Sequence, residues 1–422
     1  MLPQERRILI VSCFGHFISH FSMMIVPAII VPLSLHMNVS VGDLLGLTFP
    51  QYLLYGVSAL PWGVAGDRLG GKRLMTLQLV GSGVCGLAAA LMLKNPAGLS
   101  VALAGVGLFA GIYHPIGLGL ISKGVSRLSV AMGYLAMFGG LGLVAAPLVA
   151  GQVNGLWGPS MVFVALGLLN LAGLALMFVL PFRESHGSTA RESSGNNGAL
   201  TPFVFLLIAT LLGGIAFNGA TVVLTAYIET RSDGILSLVS GVLGLDYTKN
   251  LLATQVTALV YVVGMVGQFI GGKAGERYDT RFSYLGFHMV CMPAALLMAY
   301  THDFPMVGLA FVYFFFQLGM QASENTLVAR FAPKKWHHSA YGMKFVLTFG
   351  VGSLGVKMMQ WVEQGRGLES GFLVLSIISL LTVLTILGLI RFSEPQREPQ
   401  KEPNTGYSAP EPVEAAGTPV RP

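Results

Sequence analysis

Six side chains able to do chemistry sit in a chain that is otherwise mostly apolar: His16, His20, Tyr113, His114, Glu324 and Lys344. His16 and His20 lie four residues apart in "GHFISHF", so a helix puts both rings on one face. Tyr113 and His114 precede Pro115 in "GIYHPIGLGL". Glu324 lies in "QASENTLVAR" and Lys344 in "AYGMKF". A histidine changes charge near pH 6.5. A carboxylate beside a lysine or a histidine can hold a proton and release it. Such a set suits proton binding that is exchanged against the binding of a solute. Alternatively, the imidazole and ammonium groups form an electropositive pocket for an anion, tuned by Glu324.

These groups sit in an unusual solvent. Of 422 residues, 53% are hydrophobic and 10% are charged, and the mean hydropathy is +0.68. Soluble domains carry about 25% charged residues. The chain therefore reads as a polytopic membrane protein, with the lipid bilayer as its main partner. A spanning helix needs about 20 apolar residues. Twelve runs qualify: 8–33, 43–65, 74–93, 98–122, 128–153, 159–181, 202–228, 251–272, 282–301, 305–329, 338–361 and 370–391. The first is expected to stay as a span and not to be a cleaved signal. The run 235–245 is too short to cross and reads as interfacial. Cys13, Cys85 and Cys291 fall in separate runs and read as small core residues, not as a disulfide set or a metal site. No metal and no cofactor are expected.

Charge sets the orientation. With the N-terminus inside, 19 of the 25 Lys and Arg residues fall on inner segments. Both termini are thus expected in the cytoplasm, at a bacterial cytoplasmic membrane. The +6 net charge follows from this bias and does not call for nucleic acid.

A repeat divides the chain. "GVAGDRLGGKR" (Gly63 to Arg73) follows the second span, and "GKAGERYDTRF" (Gly272 to Phe282) follows the eighth, at an offset of 209 residues. Two pseudo-equivalent six-helix bundles are what this symmetry predicts, at 1–182 and 202–392. The polar segment 183–201 reads as a cytoplasmic linker. The Pro- and Glu-rich tail 393–422 reads as disordered. The offset also carries His114 to position 323, beside Glu324, so the two halves offer a base and an acid at nearly equivalent places. His16, His114, Glu324 and Lys344 each lie about six to ten residues from an inner helix end, roughly 9 to 15 Å deep. Pro115 removes a helical hydrogen bond and bends the span beside His114. Intramembrane ionisable groups are costly and usually face a cavity or a partner.

Twelve spans, a 6+6 repeat and the loop pattern GxxxDRxGxKR resemble the major facilitator superfamily, over roughly residues 8 to 391. The resemblance implies an all-α fold of 12 transmembrane helices in two pseudo-symmetric bundles, and a monomer. It implies that Gly63, Asp67, Arg68, Gly70, Lys72 and Arg73, with a weaker copy at Glu276 and Arg277, form a loop latch that closes the inner side. The same charges also serve topology. The fold places spans one, four, seven and ten around a central cavity. His288 in span nine is thus expected to be a packing histidine, while Lys344 either joins the site or snorkels inward. "GYLAMFGGLGLVAAPLVAG" (Gly133 to Gly151), with Gly142 and Pro147, is similar to the signature of the superfamily's antiporters. The same small residues equally serve ordinary helix packing. Within the superfamily, "YHP" and the His16 region resemble the fosmidomycin-resistance-type exporters, which tend to carry Asn-Asp where this chain has Ser19-His20. The resemblance implies a secondary active transporter of a small organic solute, with proton-linked export. Uptake of a small organic anion and a non-transporting receptor or scaffold on the same fold stay as alternatives. HExxH, paired membrane aspartates and a GxxxxGK[ST] loop are absent from the sequence, so it reads as neither an enzyme nor an ATP-driven pump.

Overall fold

A computed structural model describes residues 1–184, 200–244, 247–332 and 342–394. The predicted linker beyond Glu184 and the predicted tail beyond Glu394 lie outside the described residues. The described chain is helical, without a strand. The helices are α1 (Pro3–Ala28), α2 (Ile30–Met37), α3 (Val41–Val57), α4 (Ala59–Leu69), α5 (Gly71–Leu91), α6 (Pro96–Ala110), α7 (Tyr113–Gly124), α8 (Leu128–Trp157), α9 (Pro159–Val179), α10 (Leu200–Arg231), α11 (Asp233–Leu243), α12 (Lys249–Arg277), α13 (Thr280–Met298) and α14 (Asp303–Phe331). A π-turn (Val346–Gly350) and a 3-10 turn (Val351–Ser353) then lead into α15 (Leu354–Arg366), and α16 (Glu369–Arg391) follows.

Among the described residues ten helices are long and apolar enough to cross a membrane, or eleven if the bent pair α2–α3 counts as one span. Twelve were expected, and two positions account for the difference. The predicted span 43–65 is helical but broken at Ser58 into α3 and α4, because Pro61 cannot donate to the Val57 carbonyl. The predicted span 282–301 is α13, whose hydropathy Arg281, Tyr284 and His288 lower. Residues 235–243 of the short run belong to α11, a helix of 11 residues.

Helix ends follow local chemistry. Ser40 caps α3 by accepting from the Asp43 amide at 2.9 Å, while Asp43 accepts from the Ser40 amide at 3.3 Å, a capping box. Gly70 stands at φ +84° between α4 and α5, a backbone that a side chain would strain. The motif glycine thus makes the sharp turn between them. The freed amides of Gly71 and Lys72 donate to the Glu184 carboxylate at 2.8 and 2.6 Å.

Helices α1 to α9 pack chiefly on one another, as do α10 to α16. The main contacts across this seam are α8 on α12 and α3 on α15 with the π-turn. Gly139 and Gly142 let α8 lie directly on α1: a Cβ at Gly142 would overlap the Phe17 carbonyl, and one at Gly139 would overlap the His16 ring. Gly142→Leu is therefore expected to lower stability by about 1–3 kcal/mol, read as a drop in the unfolding temperature of the purified protein. Gly155→Leu, on the same helix but in open space, should leave it unchanged.

Candidate functional site

The site is built where α1, α3, α7 and the π-turn converge. Along α1 the helical period presents His16, Ser19 and His20 to one side. The α6–α7 break at Gly111–Ile112 swings Tyr113 and His114 against them. His16 stacks on Tyr113, with ring centroids 4.6 Å apart at 15°. His20 and His16 approach through their Nε2 atoms at 3.0 Å. The His114 ring lies 5.5 Å from each of the other two. His114 is 6% exposed, and His16 and His20 are half-buried.

Valence fixes the protons. Ser19 has a single hydroxyl proton, which it donates to the Ala110 carbonyl at 3.0 Å. Tyr55 lies 3.1 Å from Ser19 Oγ and must donate to it. His114 Nε2–H must then donate to Tyr55 across 2.8 Å, which leaves His114 Nδ1 with a lone pair. Likewise the Leu135 carbonyl, 2.7 Å from His16 Nδ1, can only accept. His16 Nε2 is therefore bare when the ring is neutral, and His20 donates to it. Each imidazole thus has a defined tautomer, held by a partner outside the cluster or by its neighbour.

On the other side of the seam the carboxylate of Glu324 (3% exposed) lies 2.8 Å from Lys344 Nζ (7% exposed). Tyr284 donates to its second oxygen at 2.9 Å, and Lys344 also donates to Asn325 Oδ1. Lys344 therefore pairs with the acid and does not snorkel. His288 stands edge-on to Tyr284 at 4.9 Å, with its Nε2 buried and lacking a hydrogen-bond partner. The expected satisfied packing histidine is instead an unsatisfied neighbour of the Glu324 pair.

Aromatic rings separate the two clusters. Phe345, next in sequence to Lys344, stacks on His114 at 4.8 Å, and Phe349 stacks on it at 5.4 Å. Phe349 also meets Tyr55 at 5.5 Å. Phe349 belongs to the π-turn, a local loosening frequent at functional sites. Asn218 on α10 donates to the Thr348 carbonyl at 2.9 Å and to Gly214 at 2.8 Å. This ties the π-turn to α10.

The two ends of the seam differ. At the end bearing the α2–α3 turn, Gln364 donates to Asp43 at 2.9 Å and Asn154 to Asn250 at 3.1 Å. Asn250 donates in turn to the Ala28 carbonyl and to Glu229, at 3.0 and 2.8 Å. At the opposite end, among the described residues, the polar bonds stay within one half. Asp67 pairs with Lys123 at 3.9 Å, and Arg281 pairs with Asp279 at 2.6 Å. Gly63, Gly66, Asp67, Pro115 and Lys123 line a cleft there. Of the residues expected to form the loop latch, Asp67 pairs with Lys123, and among the described residues Arg68, Arg73, Glu276 and Arg277 make no ion pair. The structure thus brings together His16, His20, Tyr113 and His114, and separately Glu324 and Lys344. Pro115 follows the α6–α7 break, and Pro147 lies within α8.

The sequence reading missed Ser19, Tyr55, Tyr284 and Glu229 as site residues. A tyrosine in an apolar run carries no signal beyond packing. Glu229 lies one residue past the predicted seventh span.

Comparison with known proteins agrees with this architecture. The family model described as "Major Facilitator Superfamily" matches residues 12–356. Among solved structures, a bacterial homolog of the human lysosomal transporter Spinster, in an inward-facing and occupied conformation, superposes with a TM-score of 0.74. It is 15% identical, over 93% of this chain and 98% of that one. The same homolog in its unoccupied conformation gives 0.71 at 15% identity, with the same coverage. A D-xylose–proton symporter gives 0.69 at 11% identity, over 91% of this chain and 97% of that one. No curated protein sequence matches the chain.

Proposed function

This chain belongs to the major facilitator superfamily, a family of multi-pass membrane transporters, and on that premise we propose that it is a proton-coupled exporter of a small organic solute. The observation that carries the coupling is the buried Glu324–Lys344 pair with Tyr284, one residue from a ring that covers His114. Protonating Glu324 releases Lys344 and alters the face that Phe345 presents to the histidines. A proton on one side of the seam thereby changes what the other side can bind.

The two ends supply the alternation. The bonded end holds the halves together through Asp43, Gln364, Asn154 and Asn250. The end with the loop motif carries no such tie among the described residues. By the charge bias that end is cytoplasmic, together with both termini, in the inner membrane of a bacterium. The conformation is then inward-facing, and the loop motif re-engages when the inner side closes. We further infer a monomer of two six-helix bundles, 1–182 and 202–392. The resemblance of the "YHP" segment to the fosmidomycin-resistance-type exporters, and of span five to the antiporters, supports export. Uptake of an organic anion is less well supported, because Lys344 is already neutralised by Glu324.

The test is transport in inside-out vesicles. A solute found by growth or binding screening should accumulate in the lumen when the lumen is acidified, and dissipating the pH gradient should stop it. Accumulation only in right-side-out vesicles would establish uptake. Growth phenotypes untouched by cavity substitutions would instead mark a receptor or scaffold.

A further inference from the structure

We propose that His16, His20 and His114 together bind one divalent transition-metal ion of the Co2+, Ni2+ or Zn2+ type. Each ring offers one nitrogen, and the three atoms lie within 4.8 Å of one another. Two nitrogens bound to one tetrahedral zinc at about 2.1 Å stand about 3.4 Å apart. His16 and His20 already stand at 3.0 Å. Bringing the His114 nitrogen to that spacing requires its side chain to rotate, since the three atoms span up to 4.8 Å. The pair at i and i+4 comes from α1 and the third ring from α7, two elements that pack together.

The outer nitrogens argue most strongly for an ion. A histidine that ligates a metal usually donates its other N–H to a carbonyl or a polar group, which fixes the tautomer. His16 does so through Nδ1 to Leu135, leaving Nε2 free to ligate. His114 does so through Nε2 to Tyr55, itself held by Ser19, leaving Nδ1 free. Only His20 must move its proton, from Nε2 to Nδ1. An all-imidazole set selects late transition metals over Mg2+ and Ca2+, which require oxygen ligands. Three protein ligands leave a position for water or a coordinating group of a solute. The spacing in sequence, four residues and then ninety-four, hides the site. The fold assembles it.

The site lies wholly on the α1–α9 side and is covered by Phe345 and Phe349 from the other. On the transport reading, which this inference deepens, it stays intact while the cover moves. Binding itself is tested without transport, so its failure leaves that reading standing, and the reverse also holds.

The experiment titrates Co2+ into the untagged, purified full chain and follows the visible ligand-field bands, with Zn2+ as competitor. The expected result is one equivalent bound, displaced by Zn2+, and at least tenfold weaker binding in His16→Ala and in His114→Ala. His302→Ala, at the residue that precedes α14, should bind as wild type does. Tyr55→Phe keeps all three imidazoles and removes only the outer partner, so it should weaken binding about tenfold to a hundredfold. It serves as the deciding variant if a histidine substitution unfolds the protein. Absence of saturable Co2+ binding in the wild type overturns the proposal. So does binding that survives the His16, His114 and Tyr55 substitutions unchanged.

Discussion

Glu324→Gln will reduce pH-gradient-driven transport to the leak of empty vesicles while solute binding persists. The carboxylate accepts from Lys344 at 2.8 Å and from Tyr284 at 2.9 Å, in a setting that is almost fully enclosed. An amide keeps the shape and loses the proton site. A purely structural ion pair behaves differently, and stability separates the two. Removing one partner of a buried pair leaves an uncompensated charge and costs about 3–5 kcal/mol, whereas replacing both by apolar groups of similar size is close to neutral. The double variant Glu324→Leu with Lys344→Met should therefore regain most of the unfolding temperature that Glu324→Leu alone loses, yet still fail to couple. Gradient-driven transport by the double variant would remove the pair from the coupling step.

Gly56→Leu will disfavour this conformation and shift the transporter toward the one in which α3 and the π-turn part. Gly56 on α3 lies directly against the Gly350 backbone of the π-turn, so any side chain there must push the two halves apart. The obstacle is main chain, which cannot rotate away. Overpacking of this kind costs about 1–3 kcal/mol, equivalent to roughly a 5- to 150-fold shift between two conformations. The cost falls only on the conformation in which the two glycines meet. The variant should fold, should bind solute from the opposite side, and should lose net transport. Gly350→Leu should act in the same way. A Gly56→Leu carrier with normal turnover would show that the seam never parts at this contact.

Much of the helical architecture was readable from one sequence, because a bilayer imposes length and apolarity on every span. The repeat at Asp67 and Glu276 marked the two halves. The ionisable residues were few enough to single out, and the structure does bring four of them to one side of the seam and two to the other. What pattern reading could not reach depends on packing. His20 joins His114 only because Gly139 and Gly142 seat α8 on α1 and the α6–α7 break turns α7 inward. Tyr55 and Ser19 look like packing residues until the fold gives them polar partners. His288 was set aside because span nine is peripheral by resemblance and Tyr284 was not singled out at all, yet α13 packs on α14 and brings both to Glu324. The π-turn left only Gly350 and Gly352 as traces. Its loosened carbonyl is recognisable through Asn218, a residue on another helix. The latch that the resemblance implies for Arg68 and Arg73 depends on partners that pattern reading alone does not supply.

The central claim is that two bundles open alternately onto one chamber between His114 and Glu324. Its most direct test is a single cysteine at Phe345, the residue stacked on His114, in a chain whose Cys13, Cys85 and Cys291 are replaced by alanine. In oriented vesicles a membrane-impermeant maleimide should label it from the face carrying the termini. Adding Gly56→Leu should move the labelling to the opposite face. If the cysteine reacts only with lipid-permeant reagents in both backgrounds, position 345 faces acyl chains, and the chamber, with the function assigned to it, is contradicted.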